Sequence, residues 1–290
     1  MLLYSLFLFI LGIVIGSFLN VISLRYSPEE GLNFKKWLGR SHCMNCGKTL
    51  SWYELIPLIS FFFQKGKCRN CKRLLSWQYP LVELVGGLIF LFPLYSISNF
   101  QFPISNYYFL FSSIIWILAF LSFLLIWIID YRHYIIPDGL VILLAILGFG
   151  NIALKLFYDQ FGVISGSFLG SYALLFGLRN SIWLNHFAAA FIAALIFGLI
   201  ILITKGRGMG AGDFKLIIAL GILFGWPDIL FVIVFAFFIG SLVSFELLIH
   251  KKKTLKSHIP FAPFIILSSL TLIFFGKEIL EIYFKSFNLL

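Results

Sequence analysis

The chain has 290 residues, 61% of them apolar and 12% charged, with a formal net charge of +10 and a mean hydropathy of +1.00. Soluble globular domains run at about 45–50% apolar residues, so this composition excludes a water-soluble domain and predicts an integral membrane protein. The basic residues are spread over several loops rather than gathered on one face, so the charge gives no sign of a nucleic-acid partner.

Crossing about 30 Å of hydrocarbon takes roughly 20 helical residues, and the chain carries a series of such blocks. The first, residues 2–22, lacks the basic segment that begins a cleavable signal and is read as a retained helix. A polar stretch follows at 23–80. Further apolar blocks run at 81–98, 107–129, 137–157, 186–204, 214–224, 228–249 and 259–276. The segment 160–178 is apolar but broken by Gly162, Gly166, Gly170 and Gly177, the pattern of a re-entrant or additional segment. The expected fold class is an all-α polytopic membrane protein of about eight transmembrane helices with a small cytosolic zinc-binding insert. Its organisation is a first transmembrane helix at 1–22, the insert at 23–80 and a transmembrane domain at 81–290.

Lys and Arg accumulate in cytoplasmic loops, and here they alternate from loop to loop. Arg25, Lys35, Lys36, Arg40, Lys48, Lys65, Lys67, Arg69, Lys72 and Arg73 lie between the first two blocks, whereas 99–106 has no basic residue. Arg132, the Lys205, Arg207 and Lys215 group, and Lys251, Lys252, Lys253 and Lys256 mark later loops of the same side. Arg179, Lys277 and Lys285 are the sparse charges of the other. The insert is therefore placed in the cytosol and both termini outside. The basic run 65–73 is expected to meet anionic lipid headgroups.

The insert holds all four cysteines, as Cys43-Met-Asn-Cys46 and Cys68-Arg-Asn-Cys71. Two C-x2-C knuckles offer four thiolates tetrahedrally to Zn2+, a closed structural arrangement with no open position for water. The alternative is two disulfides, which rarely persist in a reducing compartment. A segment this small buries too little surface to fold alone, so the metal would supply folding free energy. His42, beside Cys43, reads as an exposed loop residue.

Acidic residues are scarce, so those at block ends stand out. Asp130 closes the third block in Trp127-Ile-Ile-Asp130, at the helix end where the macrodipole disfavours a carboxylate. Pairing with Arg132 or plain solvation would also account for it. Asp138 follows Pro137 and suits a first helical turn. Asp213 ends Gly210-Ala-Gly212-Asp213 at the start of another apolar helix. Asp130 and Asp213 share the cytosolic side, so helix packing can bring them together. Two such carboxylates share one proton, and one then serves as base on a water while the other polarises a scissile carbonyl. Gly210 and Gly212 leave room for an extended substrate backbone.

These residues resemble the bacterial prepilin peptidases, the type IV leader peptidases and N-methyltransferases of the GxGD aspartyl protease group. The matching stretches run in order: Gly16-Ser-Phe-Leu-Asn20-Val, the Cys43 to Cys71 pattern, Tyr79-Pro-Leu-Val-Glu83, Asp130 to Ile136-Pro-Asp138, Gly210-Ala-Gly-Asp213-Phe-Lys215 and Ile259-Pro-Phe-Ala-Pro263-Phe. The resemblance implies removal of a short basic leader from type IV pilins or type II secretion pseudopilins at the cytosolic face of the inner membrane. It implies Asp130 and Asp213 as the catalytic pair, with Asp138 as the alternative for the first role. It also implies an insert that helps receive the leader, and methylation of the new N-terminus with S-adenosylmethionine. Two other classes remain open on the residues alone. A proton-coupled transporter would want carboxylates near the bilayer midplane, and a zinc-clipped assembly scaffold would tolerate loss of both aspartates.

Overall fold

The computed structural model describes residues 2–29, 31–32, 39–99, 106–157, 167–176, 181–206, 208–250 and 259–286. Each predicted apolar block is helical: α1 (Leu2–Arg25), α3 (Gln78–Asn99), α4 (Asn106–His133), α5 (Asp138–Phe157), α6 (Ile182–Thr204), α7 (Ala211–Phe224), α8 (Asp228–Ile249) and α9 (Ala262–Ser286). A short helix α2 (Ile59–Phe63) lies in the insert. Among the described residues there is no β-strand, only isolated bridges such as His42 to Thr49 and Lys67 to Leu74.

Among the described residues six helices, α1, α4, α5, α6, α8 and α9, are long and apolar enough to cross a membrane. Of the other two, α3 has 22 residues with an apolar run over Gln78–Leu94, and α7 has only 14 residues, about 21 Å at 1.5 Å per residue. Of the broken segment 160–178, the described part holds a seven-residue 3-10 helix, Gly170–Phe176, too short to cross. Gly162, Gly166 and Gly177 lie outside the described residues, as do Lys35, Lys36, Arg179, Arg207, Lys251, Lys252, Lys253 and Lys256.

The chain forms two compact units, residues 1–125 and 126–290. In the first, α1 and α3 pack side by side through small residues. A Cβ on Gly16 would sit 2.8 Å from the Val82 carbonyl oxygen, and one on Gly86 would sit 2.6 Å from that of Gly12. Helices in lipid gain association from this close backbone approach, because water provides no driving force between apolar faces there. Gln78 Nε2 donates to Asn20 Oδ1 at 2.6 Å, tying the start of α3 to α1. The Phe92 ring meets Phe120 edge-on at 4.7 Å, joining α3 to the first part of α4.

In the second unit α7 packs against both α5 and α6. A Cβ on Gly148 of α5 would lie 2.9 Å from the Leu223 nitrogen, and one on Gly221 of α7 would lie 2.7 Å from Ala190 Cα of α6. Leu216, Ile217, Leu220 and Leu223 are fully buried, so protein rather than lipid surrounds much of this short helix. Its far end is fastened by Asn185, which accepts the Trp226 N–H at 3.0 Å and donates to the Trp226 carbonyl at 2.7 Å. Buried Asp228, at the start of α8, accepts the Ser167 hydroxyl and the Phe168 N–H.

Candidate active site

Three helix ends of the second unit supply the site. Asp130 lies in the last turn of α4, where its carbonyl accepts the Tyr134 N–H at 2.9 Å. Tyr134, at φ 56°, ends the helix in a left-handed conformation. Asp213 is the third residue of α7, and its Oδ2 accepts the Gly210 N–H at 3.3 Å, the reciprocal half of an N-terminal cap. Ala262 opens α9 and donates its backbone N–H to the Asp130 carboxylate. One of the amides left unpaired at a helix start thus faces an acidic side chain.

The two carboxylates are near enough for the charge of Asp130 to act on Asp213. Asp130 is 4% exposed, and its Oδ2 is the only buried side-chain polar atom among the described residues that lacks a hydrogen-bond partner. Leaving a buried acceptor unmade costs about 1–3 kcal/mol, so such an atom calls for a reason, such as strain, an ordered water or ion, or a catalytic role. A carboxylate held at one oxygen, open at the other and coupled to a second carboxylate is equipped to exchange a proton with a water or a substrate.

Asp138 stands apart from this pair. It is the first residue of α5, exposed, and bonded to Lys215 Nζ at 2.9 Å, with the two side chains 66% and 52% exposed. The adjacent Ile136 does reach the site's framework: a Cβ on Gly212 would meet its side chain at 3.3–3.4 Å. Gly212 therefore seats α7 against the turn before α5. A Cβ on Gly210 would meet nothing nearer than Asp213 Oδ2 at 3.5 Å, so the space beside Gly210 is open. Three neighbours of these acids lie within the quoted motif stretches but carry no site role in the sequence analysis. Ala262 acts through its backbone, for which the Pro263 that follows it was the only signal. Lys215 had been assigned to topology, and Ile136 is an apolar residue in a loop.

The four cysteines come together in the first unit. All are free thiols, and their sulfurs lie within 4.8 Å of one another. Cys43 Sγ and Cys71 Sγ are 3.9 Å apart, close to the roughly 3.8 Å edge of a tetrahedron with metal–sulfur bonds of about 2.3 Å. Each knuckle turns on a backbone bond, Gly47 N–H to the Cys43 carbonyl and Lys72 N–H to the Cys68 carbonyl, both at 2.9 Å. The Arg73 N–H and the Asn45 side chain on its sulfur lower the Cys71 pKa to about 6. The Lys48 N–H and the Asn70 side chain likewise lower that of Cys46. Thiolates solvated by amide donors are the form a metal takes, so these four residues are positioned to bind a metal ion. His42 is exposed and lies outside the cluster.

Comparison with known proteins gives a consistent result along the chain. Residues 10–97 match the model of the Bacterial Peptidase A24 N-terminal domain, and residues 116–245 match that of the Type IV leader peptidase family. A Stutzerimonas stutzeri protein named prepilin leader peptidase/N-methyltransferase is 27% identical over 95% of this chain and 92% of its own length. A Bacillus subtilis protein of the same name is 29% identical over 96% of this chain and 97% of its own, and the Pseudomonas aeruginosa one is 27% identical over 95% and 92%. No solved structure matches the chain.

Proposed function

This chain belongs to the type IV leader peptidase family, and from that premise we propose that it is a membrane-embedded aspartyl endopeptidase with Asp130 and Asp213 as its catalytic pair. Its substrates are type IV prepilins or type II secretion pseudopilins, cut at the cytosolic face of a bacterial inner membrane. The observation that carries the residue assignment is the orphaned Oδ2 of Asp130 beside Asp213.

The reaction follows from that arrangement. One carboxylate takes a proton from water as its oxygen bonds to the scissile carbonyl carbon, and the other, protonated, donates to the carbonyl oxygen. Collapse of the tetrahedral intermediate breaks the C–N bond, and the leaving amine takes up the proton. The Ala262 N–H holds Asp130 in register, and the open backbone at Gly210 gives an extended substrate room. Gly212 serves the same loop by letting it lie against Ile136.

The four thiolates of Cys43, Cys46, Cys68 and Cys71 would hold a structural zinc ion, which would tie the two knuckles together. S-adenosylmethionine would supply the methyl group for the new N-terminal amine. No residue is assigned to that step. The test is to place purified protein in liposomes with a leader-bearing pilin and follow both masses by spectrometry. Loss of the leader supports the proposal, and a methyl gain that depends on added S-adenosylmethionine supports its second half. An intact pilin would instead favour the transporter or scaffold class.

A further inference from the structure

The insert does not merely project from the membrane. Glu83 lies five residues into α3, about 7 Å along the helix from Gln78. Its Oε1 accepts the hydroxyl of Ser17, which stands eight residues before the end of α1 at Arg25, about 12 Å along that helix. Its Oε2 accepts the backbone N–H of Leu58 at 2.7 Å. Leu58 is the residue immediately before α2, so the insert is fastened below the Asn20–Gln78 pair at the mouth of the two helices, not above it. Leu58 has φ 59° and ψ −56°, with a 2.6 Å bond from the Ile59 N–H to the Pro57 carbonyl. This is the rare γ-turn that strains an L-residue. The insert bends back sharply there and sends α2 off at that depth.

The side chains of α2 suit such a position. Ile59, Phe62 and Phe63 occupy positions i, i+3 and i+4, one helical face, and are 54%, 61% and 79% exposed. Phe61 points the other way, buried against Gly66, with its ring tilted against that of Trp77 at 5.2 Å between centroids. Trp77 directly precedes α3 and is itself exposed, at the level where tryptophans line a bilayer interface. Lys65 and Lys67 follow α2, both exposed, and from Gly31 to Val82 the only acidic residue is the buried Glu54. An apolar face with a basic rim at the depth of the first helical turns matches an anionic lipid leaflet. A second copy of the same basic surface would be repelled.

We propose that α2 is an interfacial anchor, with Ile59, Phe62 and Phe63 inserted among the acyl chains of the leaflet at which α1 ends and α3 begins. Glu83 is its clamp, and Lys65 and Lys67 meet the headgroups. The test uses the full chain in vesicles of phosphatidylethanolamine and phosphatidylglycerol, with the photoreactive analogue p-benzoylphenylalanine in place of Phe63. The same analogue in place of Phe245, an exposed residue along α8, is the reference. Illumination is expected to attach phospholipid at position 63 with a yield within about threefold of that at position 245. Crosslinks to a second copy or to an added pilin, or no adduct at 63 while 245 labels, would overturn the proposal. Should the Phe63 variant not accumulate, the analogue in place of Ile59 reads the same face and decides by the same outcomes.

Discussion

Each unit buries a carboxylate within its helices, and the two are treated in opposite ways. In the first unit both oxygens of Glu83 are taken up, by the Ser17 hydroxyl and the Leu58 N–H. In the second, Asp130 receives one backbone N–H and keeps Oδ2 without a partner. Asp228 shows that the second unit also satisfies a buried acid where it serves structure, through Ser167 and Phe168. The difference therefore lies in how each acid is bonded rather than in location. A fully bonded buried acid fastens chain segments together, whereas one left half-bonded beside a second acid is kept ready to move a proton.

The largest expected effect breaks that comparison most directly. Asp130→Asn and Asp213→Asn should each lower leader cleavage by about 10³-fold or more, the scale of lost acid–base catalysis. Membrane insertion and protein level should stay near wild type, because an amide keeps the volume and can still accept the Ala262 or Gly210 N–H. Cleavage in reconstituted vesicles checks this, and wild-type turnover by either variant would remove that aspartate from the mechanism.

Next in size is the metal. Purified protein should hold about one zinc per chain, and replacing Cys43 and Cys46 by serine together should abolish it, because two thiolates cannot close a four-ligand site. The insert should then be nicked within 39–77 under limited proteolysis that leaves the wild type whole. Intact wild-type protein that contains no metal and carries disulfides at these positions would sink the assignment.

Glu83 sharpens the contrast, since the same chemical change should have the opposite outcome there. A glutamine amide can accept the Leu58 N–H with its oxygen and donate to Ser17, whose hydroxyl serves equally as acceptor. Glu83→Gln should therefore leave stability and cleavage close to wild type. Glu83→Ala strands the Leu58 N–H in a strained turn and should destabilise the first unit by about 1–3 kcal/mol. Thermal unfolding in detergent, read beside cleavage, separates the two. Equal destabilisation by both variants would show that Glu83 acts through its charge.

How much of this was legible in advance depends on which forces set each feature. Helix positions were, because each apolar run marks a helix: the block 228–249 is α8 to the residue, and 137–157 misses α5 by one. The block ending at 276 fell short of α9, which runs to Ser286. Lys277, Glu278, Glu281 and Lys285 end the hydropathy but not the helix, and Lys285 bonds Glu281 at i, i+4. Helix α2 is too short to show a period. The cysteine knuckles were readable because two C-x2-C pairs at this spacing can bring four thiols together. Asp130 stands out in the sequence as a carboxylate at the disfavoured end of a helix and Asp213 as the acid of a glycine-rich helix start, but their coupling rests on tertiary packing and the Ala262 donor is backbone. No pattern of residue types announces either.

Asp138 gives the smallest expected effect, and it tests which aspartate was chosen. On sequence Asp130 and Asp138 compete for one role, eight residues apart in the same motif. The structure separates them by environment: Asp130 is buried, whereas Asp138 forms an ion pair with Lys215 in which both side chains are more than half exposed. Water screens such a pair and lets both partners move, so its loss costs roughly 0–1 kcal/mol. Asp138→Asn should accordingly keep cleavage within about threefold of wild type, with Lys215→Gln doing the same, and the double variant should show little coupling. The pair still joins the first turn of α5 to the first turn of α7, so a slight loss of thermal stability is expected in all three. If Asp138→Asn were inactive while Asp130→Asn cleaved normally, the catalytic role would belong to the exposed acid, and the orphaned Oδ2 of Asp130 would need another explanation.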